Sequence, residues 1–358
     1  MKEIFNFTSI SKLLQEKNFK IKIDCMNGVT GPFAKNIFIN ELEAPEDSVI
    51  NFTPLPDFGG LHPDPNLTYA KNLVDLMAHG KHDFGAAFDG DGDRNMILGR
   101  DVFVNPSDSV AIIAANYACI PHFRAGLKGV ARSMPTSGAL DSVARKFGIN
   151  LFETPTGWKY FVNLMEAGRL SICGEESFGQ GSDHVREKDG IWAVLAWLSI
   201  IASTKKAVKT IIEDHWREYG RNFFTRYDYE EVSEKAANDL MQHLRKKIDS
   251  KSLCGQMVAD GEMVVKGDDF CYVDPVDGTV ANNQGIRILF ESGSRIIYRL
   301  SGTGSTGATI RIYVDKRDTE TSNIFKSSHE ALKELMDFAL RISRLEIFTG
   351  RTQPTVIT

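Results

Sequence analysis

The sequence predicts an α/β protein: two α/β domains with mixed, mostly parallel sheets covered by helices, followed by a smaller α+β domain. Two observations predict it. Strand-like and helix-like patterns alternate from the start of the chain to about residue 221. After Tyr219 the pattern changes to an aromatic strand run, an amphipathic helix, several strands with tight turns and a last helix. The chain therefore divides into 1–105, 106–221 and 222–358, each long enough to bury a core of its own. No Pro- or Ser-rich linker separates the three.

The elements follow in order. Lys20–Cys25 reads as a strand, and Gly28 and Gly31 open a helix to about Leu42. Val49–Thr53 is a second strand. Thr68–Ala78 is a helix with Tyr69, Leu73, Leu76 and Met77 on one face, Thr68 as N-cap and Gly80 past its end. A strand over 83–88 then runs into an aspartate-rich loop. In the second region Pro106 starts a helix to about Cys119, Gly129–Met134 is a strand, and Thr136–Phe147 a helix. Ile149–Glu153, Gly157–Ala167 and Leu170–Gly174 repeat the strand, helix, strand rhythm, and Asp189–Thr204 is an apolar helix. In the third, Phe223–Val232 is a strand, Ser233–Ile248 an amphipathic helix, Ile286–Phe290 and Arg295–Leu300 strands about a turn, and Ser322–Leu345 a last helix.

Composition excludes several classes. The chain is 42% hydrophobic and 25% charged with net charge −5, and no basic tract stands out, which argues against nucleic acid. Ile191–Ala202, its longest apolar stretch, is too short for a bilayer and reads as a buried helix, so no membrane is expected. Five scattered cysteines form no CxxC pair, which argues against a disulfide framework or zinc and fits a reducing, cytoplasmic setting.

The chemistry concentrates in a few turns. Phe88-Asp-Gly-Asp-Gly-Asp-Arg94 puts Asp89, Asp91 and Asp93 on alternate residues with glycines between. Three like charges so close call for a cation, and an oxygen-only set suits a hard ion such as magnesium. An EF-hand loop is excluded, because its sixth and twelfth positions would be Arg94 and Arg100 rather than Gly and Glu. Arg94 adds a phosphate-seeking guanidinium. A lone acidic turn is more often merely solvated; its place after a strand favours a ligand site. Arg299 and Arg311 bracket a Gly/Ser/Thr turn able to nest an anion. No Gly-Lys-Ser/Thr or following helix makes it a nucleotide loop. Without the arginines it would read as a Gly-rich hairpin. Gly174-Glu-Glu-Ser-Phe-Gly179 offers a carboxylate and hydroxyl for sugar hydroxyls, although a polar turn alone would look the same. Lys188, in Arg186-Glu-Lys-Asp-Gly, is a proton-transfer candidate if burial or nearby cations lower its pKa; a solvated charge run is the equal alternative. His184 reads as structural. Thr156 and Gly157 lie in a further polar turn.

Together these runs resemble the α-D-phosphohexomutase superfamily, and within it the eukaryotic-type phosphoglucomutases. The resemblance rests on His62-Pro-Asp-Pro-Asn-Leu-Thr, the Asp89–Arg94 run, Ser133-Met-Pro-Thr-Ser-Gly, Glu153-Thr-Pro-Thr-Gly-Trp-Lys, Cys173-Gly-Glu-Glu-Ser-Phe-Gly, Arg186-Glu-Lys-Asp-Gly, Arg299-Leu-Ser-Gly-Thr-Gly and Pro354-Thr-Val-Ile-Thr, in the family's order. It implies interconversion of glucose 1-phosphate and glucose 6-phosphate through a phosphoserine and glucose 1,6-bisphosphate. It assigns magnesium to Asp89, Asp91 and Asp93, with Arg94 beside the phosphoryl group. It assigns sugar contacts to Thr156, Gly157, Glu175 and Ser177, and proton transfer to Lys188. Arg299, Ser301, Gly302, Thr303, Gly304 and Arg311 take the distal phosphate.

One departure is large. The 358 residues contain no Thr-Ala-Ser-His-Asn-Pro run, the family's phosphoserine loop, and residue 1 falls near the start of the family's second domain. Ser328-His329 is the nearest likeness, without Asn-Pro after it. The expectation is a chain inactive alone that binds magnesium and glucose phosphates, with the absent N-terminal domain as a partner. A smaller departure is Asn27, where the family has His. The rival reading is a non-catalytic, adhesion- or cytoskeleton-associated paralogue; the intact loops count against it. A water-using phosphatase is weaker, since Lys188 is the one evident base.

Overall fold

The computed structural model describes residues 1–258, 261–304 and 307–358. The chain forms two compact units, Met1–Tyr219 and Gly220–Thr358.

The first unit contains two mixed sheets. One holds β1 (Ile21–Asp24), β2 (Val49–Ile50), β3 (Phe84–Phe88), β4 (Asn95–Gly99) and β5 (Val102–Val104), in the order β2-β1-β3-β4-β5. β1 pairs in parallel with β2 and β3, while β3–β4 and β4–β5 are antiparallel. The other holds β6 (Val130–Ser133), β7 (Leu151–Thr154), β8 (Ile172–Gly174) and β9 (Gln180–Ser182), in the order β7-β6-β8-β9, with only β8–β9 antiparallel. The helices are α1 (Phe7–Leu14), α2 (Gly31–Ala34), α3 (Lys71–Ala78), α4 (Pro106–Ala115), α5 (Ala139–Phe147), α6 (Lys159–Glu166), α7 (Gly190–Thr204) and α8 (Val208–Tyr219).

One apolar core joins residues of both sheets, among them Ile23, Phe88, Val130 and Ile172, with α4 and α7. The α7 sequence is apolar all round, so it has no wet face and is buried from Gly190 to Ala202. Asp189, read from sequence as the first helical residue, instead caps it by accepting the Trp192 amide at 2.9 Å. Among the described residues no single helix is long and apolar enough to cross a membrane.

Several expectations shift. The helix expected to run to Leu42 is α2 followed by a π-helical stretch, Lys35–Glu41. The second strand stops at Ile50, because Asn51 turns to φ +51°. Thr68 caps nothing. Asn66 accepts the amides of Thr68 and Tyr69, each at 2.9 Å, and that turn delays α3 to Lys71. α1, β4, β5, β9 and α8 had no sequence counterpart.

The second unit carries an antiparallel sheet of β10 (Arg221–Val232), β11 (Val264–Asp269), β14 (Ile286–Phe290), β15 (Arg295–Gly304), β16 (Gly307–Asp318) and β17 (Val356–Ile357), in the order β11-β14-β15-β16-β10-β17. A small ribbon pairs β12 (Tyr272–Val273) with β13 (Val280–Ala281). Helices α9 (Glu234–Asp249), α10 (Ser328–Ser343) and α11 (Leu345–Thr349) contribute to its core. Ser327 caps α10, so the last helix starts later than Ser322. Leu240, Leu244, Leu335 and Phe338 pack with Ile288, Tyr298, Ile310 and Ile312. The Tyr298 hydroxyl donates to the Ala339 carbonyl at 2.7 Å. Side chains alternate faces along a strand. Burying Tyr298, Ile310 and Ile312 beneath the helices therefore turns Arg299 and Arg311 to the other face.

Candidate active site

The aspartate loop connects β3 to β4, where Phe88 and Asn95 are cross-strand partners. Three neighbouring segments clamp it. The Val29 amide donates to the Gly90 carbonyl at 3.0 Å, the Gly90 amide to the Pro63 carbonyl at 3.2 Å, and the Gly190 amide to the Gly92 carbonyl at 3.1 Å. Glycine is required at these contacts. A Cβ at Gly28 would lie 2.7 Å from the Gly90 oxygen, and one at Gly190 would lie 2.7 Å from the Arg94 oxygen. Met26 and Asn27 adopt φ of +46° and +56° beside this loop, a conformation that side chains disfavour. Asp24 holds that bend by accepting the Met26 amide at 2.8 Å and the Asn51 amide group at 2.9 Å.

Carboxylate oxygens of Asp89, Asp91 and Asp93 lie within 4.8 Å of one another. An all-oxygen set of this kind fits a hard divalent ion that retains water ligands. Asp89 is buried, Asp93 half-buried and Asp91 exposed. Burial pushes the Asp89 carboxyl up to about 6 against the hydrogen bonds and charge of Arg94, and the charge of Asp93 adds to the rise. The Arg94 amide and Nε donate to Asp89 at 3.0 and 2.6 Å, and its NH1 donates to Asp64 at 3.1 Å. Asp64 lies in the His-Pro-Asp-Pro run, but the sequence reading gave it no role; the run itself was the available signal.

The Gly174–Gly179 turn joins β8 to β9. It approaches the aspartate loop because the Asn95 amide donates to the Phe178 carbonyl at 2.9 Å and Arg94 forms a bridge with Gly179. Phe178 is held at φ +71°. Glu175 is buried, and its Oε1 accepts the Gly157 amide at 3.3 Å. The Thr156 hydroxyl is buried with no hydrogen-bond partner among the described residues, an orphan that a ligand hydroxyl would satisfy. Ser177 is half-buried at the turn. Glu176, unassigned from sequence, is an anchor: its Oε2 accepts the Ser133 and Thr136 hydroxyls at 3.0 and 3.2 Å.

Lys188 stands between the two loops. Its Nζ lies 2.8 Å from Asp93 Oδ2 and 3.9 Å from Glu175 Oε2. Burial pulls its pKa down, but the hydrogen bond and charge of Asp93, with the charge of Glu175, outweigh that and hold it above the ordinary lysine value. The lowered pKa on which the proton-transfer reading depended is therefore not found; these contacts favour the ammonium form. His184, read from sequence as structural, is held on both ring nitrogens. Nε2 contacts Asp189 Oδ2 at 3.0 Å, Nδ1 contacts the Ser182 hydroxyl at 2.6 Å, and the ring stacks on Trp192.

In the second unit the two arginines lie on the antiparallel pair β15 and β16. Arg299 and Arg311 are direct cross-strand partners, as are Ser301 and Thr309. Arg311 is also opposite Asp228 on β10, with Nε 3.6 Å from Asp228 Oδ2. Arg226 Nε donates to Asp228 Oδ1 at 2.9 Å, and Arg299 NH1 donates to the Tyr313 hydroxyl at 3.2 Å. Ser301 is half-buried and Gly302 exposed at φ +62°. Thr303 and Gly304 belong to β15 by their backbone; their side chains, like residues 305 and 306, lie outside the described residues. Sequence reasoning missed Asp228 and Arg226, whose shared face needs the strand register.

The model for phosphoglucomutase/phosphomannomutase alpha/beta/alpha domain II matches residues 1–101, that for domain III matches 106–219, and that for the phosphoglucomutase-1 C-terminal domain matches 221–355. The chain is 58% identical over 364 residues to phosphoglucomutase-1 of Bos taurus, and 57% identical over 378 residues to a cytoplasmic phosphoglucomutase of Pisum sativum. Each alignment covers 100% of this chain and 65% of the relative, so the chain spans about two-thirds of their length. A solved structure of Paramecium pp63/parafusin, an exocytosis-sensitive phosphoprotein and phosphoglucomutase in its open form, is similar with TM-score 0.91 and 52% identity, covering 100% of this chain and 63% of that one.

Proposed function

This chain belongs to the phosphoglucomutase/phosphomannomutase family, and we propose that it carries the metal-, sugar- and phosphate-binding parts of a phosphoglucomutase acting on glucose 1-phosphate and glucose 6-phosphate. One observation carries the reading most directly: Lys188 links the clustered carboxylates of Asp89, Asp91 and Asp93 to Glu175. The names of the relatives favour a mutase over the adhesion-type interaction protein.

In this proposal Asp89, Asp91 and Asp93 hold magnesium, which supplies neutralisation of phosphoryl charge when bound. Arg94, oriented by Asp64 and Asp89, faces the phosphoryl oxygens. Glu175 accepts hydrogen bonds from sugar hydroxyls, with Thr156, Gly157 and Ser177 beside it. Lys188 donates a proton to the sugar oxygen released when its phosphate leaves. Arg299 and Arg311, with Ser301, Gly302, Thr303 and Gly304, bind a phosphate group through forked donors and backbone amides. Glucose 1,6-bisphosphate is the intermediate, formed with a serine that these 358 residues do not contain. The purified 358 residues are expected to bind but not to turn over by themselves. Five free cysteines favour a cytoplasmic setting.

The test is direct. Calorimetry should detect magnesium binding that Asp91→Asn weakens about tenfold or more without lowering the melting temperature, since Asp91 is exposed. Adding the serine-bearing region of the bovine relative as a separate polypeptide should restore conversion of glucose 1-phosphate. Turnover by the 358 residues alone, or indifference of magnesium binding to Asp91→Asn, contradicts the proposal.

A further inference from the structure

We infer that Lys188 is a tethered counterion that competes with a divalent cation for Asp93, and so links cation binding at the aspartate loop to the state of Glu175 in the sugar loop. The inference deepens the proposed function and rests on its assignment of the metal to the aspartate loop.

Three observations support it. Lys188 Nζ lies 2.8 Å from the same carboxylate, Asp93, that completes the cluster. A second acceptor is close by, Glu175 Oε2 at 3.9 Å. The path between the two is narrow, because the Lys188 stem lies against Gly179, where an added Cβ would overlap Lys188 Cδ while standing 3.5 Å from Glu175 Oε2. An ammonium and a divalent cation cannot both neutralise one carboxylate without repelling each other. When a cation takes Asp93, the ammonium has Glu175 to turn to. Glu175 is buried and receives the Gly157 amide, so a tighter pairing with Lys188 fixes the carboxylate that faces the sugar. Arg94 is not the competitor in the same sense, because Asp64 retains it wherever Asp89 is engaged.

The probe is manganese alone, titrated into the full chain and followed by electron paramagnetic resonance. Lys188→Met keeps the stem and removes the charge, and should tighten manganese binding about five- to tenfold, the share of a half-buried ion pair. Glu175→Gln removes the second acceptor and should weaken manganese binding in the parent chain but not in the Lys188→Met background. That dependence separates competition at Asp93 from a general loss of positive charge. Lys188→Arg should restore competition. Unchanged or weaker binding by Lys188→Met overturns the inference, as does an equal effect of Glu175→Gln in both backgrounds. Failure of every variant, and of the parent, to bind manganese instead removes the metal assignment and the inference with it.

Discussion

His215 offers a prediction whose size can be worked through. It lies on α8, is 5% exposed, and packs on Tyr219 with ring centroids 4.7 Å apart. Neither ring nitrogen has a hydrogen-bond partner among the described residues. Burial pulls its pKa from 6.5 down to about 4, with the charge of Glu218 acting weakly the other way. The charged groups beside it, Lys206, Asp214 and Glu218, are in ion pairs: Lys206 with Asp214 at 2.8 Å, and Glu218 with Lys146 at 2.6 Å. The unfolded chain takes up this proton before the folded one, so stability is full above pH 6.5 and falls as pH drops toward 4. The whole gap corresponds to about 3 kcal/mol, of which about 2 kcal/mol is lost by pH 5. His215→Phe keeps a ring in place and removes the proton site. The four tryptophans, at 158, 192, 197 and 216, all lie in the first unit, so their fluorescence reports its unfolding alone. In urea, the parent should lose about 2 kcal/mol more than His215→Phe between pH 7.5 and pH 5. Equal losses would refute the reasoning.

Two further outcomes concern the scaffold of the site. Arg132 is buried, with Nε and NH2 donating to Asp141 at 2.5 and 2.7 Å and NH1 to Glu153 at 2.9 Å. Arg132→Met removes the buried guanidinium from two half-buried carboxylates and should cost about 1–3 kcal/mol by the same fluorescence measurement; no measurable loss would contradict this. Gly190→Ala drives a Cβ to 2.7 Å from the Arg94 oxygen and 3.0 Å from the Gly92 oxygen, both backbone atoms that cannot swing aside. It should cost about 1–3 kcal/mol and weaken manganese binding, because the aspartate loop must move; full stability with parental affinity would rule out that contact.

What the sequence made legible divides on physical lines. Patterns local in the chain were readable: the apolar run of α7, the amphipathic α9, and the three aspartates. β4 was not, because all of Asn95–Gly99 is buried and no period-two alternation marks it. The start of α3 went wrong because Asn66 accepts the Thr68 and Tyr69 amides, and the turn this makes takes up residues whose spacing looked helical. The arginine pair was visible as residue types, but its common face follows from the register that sets Arg299 against Arg311 and Arg311 against Asp228. Glu176 was unreadable for a similar reason, since its partners Ser133 and Thr136 are 43 and 40 residues away.

Lys188 marks the limit most clearly. Composition nominates a lysine beside acidic loops, but the direction of its pKa is a contest between burial and two carboxylates. A small displacement of Nζ away from Asp93 would weaken the stabilising side while leaving much of the burial. Chemistry that depends on such a balance is decided by the contacts between the Gly174–Gly179 turn and the β3–β4 loop, which lie more than 80 residues apart in the chain. Residues that merely supply a charge can therefore be named from sequence, while residues whose charge state is itself the device need the fold.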